Sequence, residues 1–355
     1  MNWHDPLGWL PPPGLAGFDE IAKVRRGMLL LAAAPRPPIG ITPHAVVHGH
    51  DKLAVRYYPP SGTHSGETVV VVPSLINRAA IVDLEPGRSL VAALAAAGHR
   101  VYLVDWGVPG EEDGDDDVGY VLHDLLLRSI ARIRRHGCAR KVHLFGYCLG
   151  GTLAVMATAL RPDGIASVAT LAAPARFSEG GRFAAFARAV DPVRCFPSGL
   201  VPVDLMKPVF KSLDPMGNWN KHLAVDAAAN DPNALRRVLA RERWVEENIP
   251  LPSAFAREWV RFGYHEDRLL AGTWTVRGEA VNLGAIGLPV LVLACESDFI
   301  TPLACALPLA PATGGVAITL PTGHLAAVVG AAGPRLLYPL LDRWVRDPAS
   351  VAAAP

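Results

Sequence analysis

Gly146-Tyr-Cys-Leu-Gly150 is the stretch on which the reading of this chain turns. It runs glycine, any residue, nucleophile, any residue, glycine, with cysteine where serine is commoner. Lys141–Phe145 before it predicts a short buried strand, and Gly151–Leu160 after it predicts a helix. A sharp strand-to-helix turn of this kind exposes a nucleophile at the end of a sheet. Only residues without a Cβ leave room there for the adjoining strand and helix. The start of the helix also favours a developing negative charge. The competing reading is a buried, inert cysteine in a glycine-rich helix entry.

Two further stretches fall in step with this one. Leu288–Ala294 is a near-continuous apolar run, the mark of a strand covered on both faces. Pro289 stands at its start, where a missing backbone donor is tolerated. The run ends in Cys295-Glu-Ser-Asp298, which sets an acid at the strand's carboxyl end. Val316–Leu320 predicts the next strand, and Pro321-Thr-Gly-His324 puts a histidine in the turn after it. Cys148, Asp298 and His324 therefore each follow a strand end, in the order nucleophile, acid, histidine. That carboxyl edge is where open α/β sheets gather their catalytic groups. Taken singly, Asp298 also reads as the cap of a helix over Thr301–Leu309, and His324 as a surface turn residue.

Composition sets the limits. The chain has 355 residues, half of them apolar, and a net charge of +1. That length suits one large α/β domain with an insertion, or two small ones. So small a charge argues against nucleic acid as a partner. The five cysteines show no paired spacing and no metal pattern, and an odd count points to a reducing compartment, hence the cytoplasm. No apolar run is long enough for a transmembrane segment. Arg25–Ala34 faintly resembles a signal sequence, but its apolar run is short; it reads as the end of an amphipathic helix over Phe18–Ala33. No glycine-rich phosphate loop follows a strand, so no nucleotide cofactor is expected. His44, His48 and His50 lack the cysteine or acidic partners of a metal site.

The order of elements predicts a doubly wound, mostly parallel sheet. Ala45–Tyr58 reads as a hairpin, and Thr68–Val72, Val101–Asp105 and Ile165–Ala172 as strands. Arg88–Ala97 and Val118–Arg135 read as helices, the first closed by Gly98. The acidic run Glu111–Asp117 reads as a solvated loop. From Ala175 to Leu283 no strong strand is legible, and a helical lid is expected there, between the sixth and seventh strands. The expected division is 1–44 as an N-terminal helical extension, 45–174 with 284–355 as the core, and 175–283 as the lid. Trp219, Trp244, Trp259 and Trp274 fall in the lid and read more readily as its core than as a substrate wall. His143 reads as structural, and Asp105 and Trp106 as supports of the site or as a cap and a core aromatic.

At these motifs the chain resembles a family, the polyhydroxyalkanoate synthases of the α/β-hydrolase superfamily, and among them the short two-component type. Gly146-Tyr-Cys-Leu-Gly-Gly-Thr-Leu153 carries the likeness most specifically. Leu75-Ile-Asn77 with Ile81–Leu84, Gly98–Gly107, Gly278–Leu283 and Leu288-Pro-Val290 are similar to further segments of that family. The resemblance implies an α/β-hydrolase fold and an acyltransferase with a Cys-His-Asp triad: Cys148 as acyl-accepting nucleophile, His324 as base, Asp298 as acid. It implies a hydroxyacyl-coenzyme A substrate, a polyester chain as product, and a site at the granule surface. A second synthase subunit is the implied partner, with a homodimer as the other assembly left open. Two positions depart from the family pattern: Phe299 stands where histidine usually follows the acid, and Arg176 stands where an aspartate is usual.

The chemistry suits a cysteine. A thiolate attacking a thioester makes another thioester, so the acyl group keeps its activation. His324 can take the thiol proton and later that of an attacking hydroxyl; Asp298 orients His324 or serves that hydroxyl itself. The oxyanion needs two donors: the backbone N–H of Leu149, and one from Leu75 or Ile76. Coenzyme A is then a leaving group and not a bound cofactor. Three readings stay open at this point: polyester synthesis, hydrolysis by an esterase or thioesterase, and a non-catalytic homologue that binds granule or partner.

Overall fold

The computed structural model describes residues 17–352; residues 1–16, the start of the expected extension, lie outside them. Valine-rich runs with no polar face set the architecture. β3 (Thr68–Val72), β5 (Val142–Tyr147) and β7 (Val290–Cys295) are buried at every position, as strands covered on both faces must be. With β1 (Ala45–His50), β2 (Leu53–Tyr58), β4 (Arg100–Asp105), β6 (Ile165–Leu171) and β8 (Val316–Leu320) they form one eight-stranded sheet. Its order is β1-β2-β4-β3-β5-β6-β7-β8. β2 runs antiparallel to β1 and β4, and the other pairings are parallel.

The twofold period of the strands divides their side chains between two cores. Val70, Val72, Leu144 and Val292 join Leu153 and Met156 of the helix Leu149–Leu160. Val69, Val71, Phe145, Leu291 and Leu293 join Leu90 and Leu94 of the helix Leu90–Ala96, and Leu341 and Trp344 near the carboxyl end. A sheet sealed on both faces leaves only its edges for chemistry.

Several elements differ from the expectation. The first helix begins at Leu90, because Arg88–Ser89 pairs with Asp83–Glu85 and Ser89 caps the helix through Ala92 N. The expected helix over Val118–Arg135 is widened into π turns over Tyr120–Leu127 before Arg128–His136. The helix over Thr301–Leu309 is split into Leu303–Ala306 and Leu309–Thr313; Pro308 cannot carry an uninterrupted ladder. The acidic loop is more than solvated. Asp116 lines a cavity with Leu75, Trp106 and Leu251, and burial together with Asp113 pushes its carboxyl up to about 6.

Between β6 and β7 the chain folds into short helices, among them Gly181–Ala189, Val203–Leu213, Gly217–Ala227 and Pro232–Glu246. The ladders in this stretch are two residues each: Leu200–Val201 pairs with Leu251–Pro252, and Thr275–Val276 with Glu279–Ala280. Two-residue ladders carry no periodicity to read. Trp259 and Trp274 pack with Phe177, Phe255 and Phe262. Trp219 donates to Glu20 at 3.0 Å and Trp244 to the Arg78 carbonyl at 2.7 Å. All four tryptophans are buried and hold the lid together.

The helix Phe18–Ala33 lies against the lid helix Gly217–Ala227. Arg26 forms a two-pronged pair with Asp226, at 2.9 and 3.0 Å. The backbones close most tightly at Gly27, where an added Cβ would stand 2.0 Å from the His222 carbonyl oxygen. No side-chain rotation relieves a contact with backbone. Gly27→Ala is therefore expected to cost about 1–3 kcal/mol and to raise hydrogen exchange across residues 18–33 and 217–227 while the sheet stays protected. Unchanged exchange in those two helices would show that they do not hold one another.

Candidate active site

The carboxyl end of β5 turns into the helix Leu149–Leu160 at Cys148, held at φ 54° and ψ −130°. Few non-glycine residues adopt that backbone. Its neighbours explain why it persists. A Cβ on Gly150 would lie 2.2 Å from the Pro73 carbonyl oxygen and 2.3 Å from that of Val72. One on Gly146 would lie 2.4 Å from Gly151 Cα. The Cys148 N–H is fixed to the Leu171 carbonyl at 2.8 Å. Leu149 is the first helical residue, so its N–H has no acceptor in the helix and stands free beside the thiol.

β7 and β8 run parallel with Cys295 opposite Leu320, so both chains leave the sheet side by side. That brings Asp298 to His324. Asp298 Oδ2 accepts the His324 Nδ1–H at 2.7 Å, while Oδ1 accepts Ile300 N–H at 2.9 Å and Thr301 N–H at 2.8 Å. The two sequence readings of Asp298, cap and partner of the histidine, thus fall on its two oxygens. Both oxygens are engaged and the residue is 6% exposed.

His324 bonds to Cys148 as well. Burial alone would lower its pKa, but the Cys148 sulfur and the Asp298 carboxylate outweigh this and push it up to about 10. The imidazolium is the favoured form at neutral pH. Sequence reasoning missed the residue that aims it. The Tyr147 hydroxyl donates to the His324 carbonyl at 3.3 Å, and the two rings stand 5.1 Å apart. Tyr147 lies inside the elbow motif, at a position the motif leaves variable.

The loop after β3 reaches the same place. Leu75 and Leu149 share an apolar cluster against which Cys148 packs. Trp106 Nε1 donates to the Pro73 carbonyl at 3.0 Å, and the Ile76 carbonyl accepts Ile249 N–H at 3.3 Å. The other cysteines are elsewhere or inert: Cys138 and Cys195 are exposed, and burial pushes the Cys295 and Cys305 thiols up to about 12. Phe299 points outward, 46% exposed. The Arg176 N–H bonds to the Cys305 carbonyl at 2.9 Å and its side chain is exposed, so the charge reversal lies outside the Cys148–His324–Asp298 contacts. His143 sits in β5 between Ser167 at 2.8 Å and Glu67 at 3.1 Å. Among the described residues no group of three or more metal-ligating side chains is placed to hold an ion, and no helix is long and apolar enough to cross a membrane.

The chain and its fold are similar to known proteins. Residues 67–194 match the family model of the alpha/beta hydrolase fold. The poly(3-hydroxyalkanoate) polymerase subunit PhaC of Allochromatium vinosum is 26% identical over 339 residues, 93% of this chain and 96% of that protein. The Synechocystis subunit of the same name is 28% identical, over 87% of this chain and 85% of its own. Among solved structures, a putative non-heme bromoperoxidase from Mycobacterium tuberculosis superposes with a TM-score of 0.55 at 17% identity, over 87% of this chain and 100% of that one; at that identity it speaks for the fold alone. The chain has the α/β-hydrolase fold and is similar over most of its length to poly(3-hydroxyalkanoate) polymerase subunits.

Proposed function

We propose that this chain is a polyhydroxyalkanoate synthase-like acyltransferase. It moves 3-hydroxyacyl groups from coenzyme A thioesters onto a growing polyester through an acyl-enzyme at Cys148. One observation carries the reading: the elbow nucleophile is a cysteine, joined through His324 to Asp298, in a chain whose relatives are named polymerase subunits.

The Cys148 thiolate attacks the thioester carbonyl carbon, and the oxygen takes the charge. Leu149 N–H supplies one donor for it, and the loop at Leu75 and Ile76 supplies the other. As the C–S bond to coenzyme A breaks, His324 gives its proton to the departing sulfur. A hydroxyl then attacks the acyl-cysteine. His324 accepts its proton, the ester bond forms, and the Cys148 sulfur leaves. Asp298 holds the imidazole in the tautomer both steps need. Coenzyme A is a leaving group, and the reaction needs no bound cofactor.

The test is thiol release from 3-hydroxybutyryl-coenzyme A with the insoluble product weighed alongside. Thiol with polymer supports synthesis, and thiol with free hydroxy acid means a thioesterase. Cys148→Ala should lower thiol release by on the order of 10⁴-fold or more while the fold survives, and Cys148→Ser should leave little transfer. Substantial turnover in Cys148→Ala would falsify the nucleophile assignment. Asp298→Asn should slow acylation and chain transfer alike; a loss confined to chain transfer would mean that Asp298 meets the hydroxyl.

The same triad sets a titration. Cys148 and Asp298 both raise the His324 pKa, so removing either should lower it. Nuclear magnetic resonance of the imidazole should place the wild-type midpoint near 10, and lower values in Cys148→Ala and in Asp298→Asn. A midpoint that ignores both substitutions would remove the ion pair from the mechanism.

We further infer that a second synthase subunit completes the enzyme at the granule surface. Phe186, Val193 and Leu205 of the lid are exposed large apolar groups, the second on a four-residue helix that starts at Pro192 and the third on a helix with Pro208 inside it. Such a segment opens at low cost and orders on binding. The isolated chain should show a lag that a co-expressed subunit removes, and residues 178–215 should gain exchange protection with it. Full activity without a lag, and a segment already protected, would point to an enzyme that works alone.

A further inference from the structure

Trp106 follows β4 directly and is 6% exposed. Its Nε1–H donates to the Pro73 carbonyl at 3.0 Å, in a buried setting. Proline has no N–H, so that carbonyl is the one hydrogen-bonding group Pro73 has. The same oxygen stands 2.2 Å from the place a Cβ on Gly150 would take. The Pro73 carbonyl is thus wedged between the indole of Trp106 and the first turn of the nucleophile's helix.

This wedge lies between the two oxyanion donors of the acyl-transfer reading. One is the N–H of Leu149, next to Gly150. The other comes from Leu75 or Ile76, two and three residues after Pro73. Leu75, Leu149 and Trp106 belong to one apolar cluster. The lid holds the far end of the loop, where the Ile76 carbonyl accepts Ile249 N–H at 3.3 Å and the Arg78 carbonyl accepts Trp244 Nε1–H at 2.7 Å. Trp106 holds the near end. The Ser74 side chain does not: its hydroxyl is buried and has no partner among the described residues.

The indole is itself held from both sides. Asp105 pairs with Arg56 of β2, and its Oδ1 accepts the Gly107 N–H at 3.3 Å. Gly107 turns the chain at φ 76°, and a Cβ there would stand 2.0 Å from the Lys52 carbonyl oxygen. The backbone that carries Trp106 is therefore fixed to β2 and to the turn before it.

We propose that Trp106 is a positioning residue for acyl transfer: its indole N–H, acting through Pro73, sets the gap between the two backbone donors that receive the thioester oxygen. The proposal rests on the acyl-transfer function above. An oxyanion donor works only at the spot the oxygen takes in the transition state. Its displacement slows the reaction and leaves substrate binding alone.

Two reactions of Cys148 separate this role from a merely structural one. Acylation by 3-hydroxybutyryl-coenzyme A builds an oxyanion. Alkylation by iodoacetamide displaces iodide at a saturated carbon and builds none. Both draw on the same thiolate. Trp106→Phe keeps an aromatic ring and removes the N–H. It should lower the limiting single-turnover acylation rate of the full chain by about tenfold or more, at an unchanged half-saturating concentration, while alkylation keeps its wild-type rate. Benzothienylalanine at position 106 keeps the two-ring shape, lacks only the N–H, and should show the same loss. Equal losses in acylation and alkylation, a loss confined to Trp106→Phe, or an unchanged acylation rate in both variants overturns the proposal and leaves acyl transfer in place. A wild-type chain that is alkylated at Cys148 yet releases no thiol from the coenzyme A substrate overturns acyl transfer itself, and the positioning role with it.

Discussion

The backbone at Cys148 is the constraint from which the site follows. A residue at φ 54° and ψ −130° costs on the order of 1–3 kcal/mol, and the surroundings must over-determine it. They do so from three sides. β6 holds the Cys148 N–H through Leu171. The Val72 and Pro73 carbonyls press against Gly150, and Gly151 against Gly146. Each of these depends on β3, β5 and β6 being neighbours in the sheet. The order of strands is thus a condition of the turn, and the turn is a condition of a thiol that faces outward beside a free helix N–H.

The second half of the site solves an electrostatic problem. A histidine so buried would ordinarily be neutral, because burial penalises its charge. Here the Cys148 sulfur and the Asp298 carboxylate outweigh that penalty. Asp298 is itself kept in place by two backbone donors, Ile300 and Thr301, which compensate its buried charge. Tyr147 then fixes the carbonyl of His324 from inside the elbow. The nucleophile's own strand therefore positions the base, and a shift of one moves the other.

What the sequence made legible was whatever repeats along one segment. Thr68–Val72 and Val316–Leu320 have the strand bounds read from their apolar pattern, and Phe18–Ala33 the helix bounds. Cys148, Asp298 and His324 could be found because each follows a readable strand. The lid was not legible in detail, since Leu200–Val201 finds its partner at Leu251–Pro252, and two residues have no period. The acidic run is exposed at Glu111, Glu112, Asp115 and Asp117, as read, and only the half-buried Asp116, which lines a cavity with Trp106 and Leu251, could not be told apart by composition.

The lid is bound to the loop after β3 by the backbone. Trp244 donates to the Arg78 carbonyl and Ile249 to that of Ile76, so residues 244–249 grip the loop that follows Leu75 from both ends. On the opposite side Ala254 N–H bonds to the Gly114 carbonyl at 3.0 Å, and Val118 N–H to Glu258 at 3.2 Å. A lid so fastened cannot lift at 244–249 without drawing on the loop at Leu75 and Ile76. The segment 181–213 carries none of these backbone ties to the loop. Its exposed Phe186, Val193 and Leu205 stand apart from that grip. Under the proposed function, access for a long acyl chain and integrity of the oxyanion donors fall to different stretches of one insertion. A polymerase that must admit a growing chain and still hold a reactive thioester away from water needs that separation.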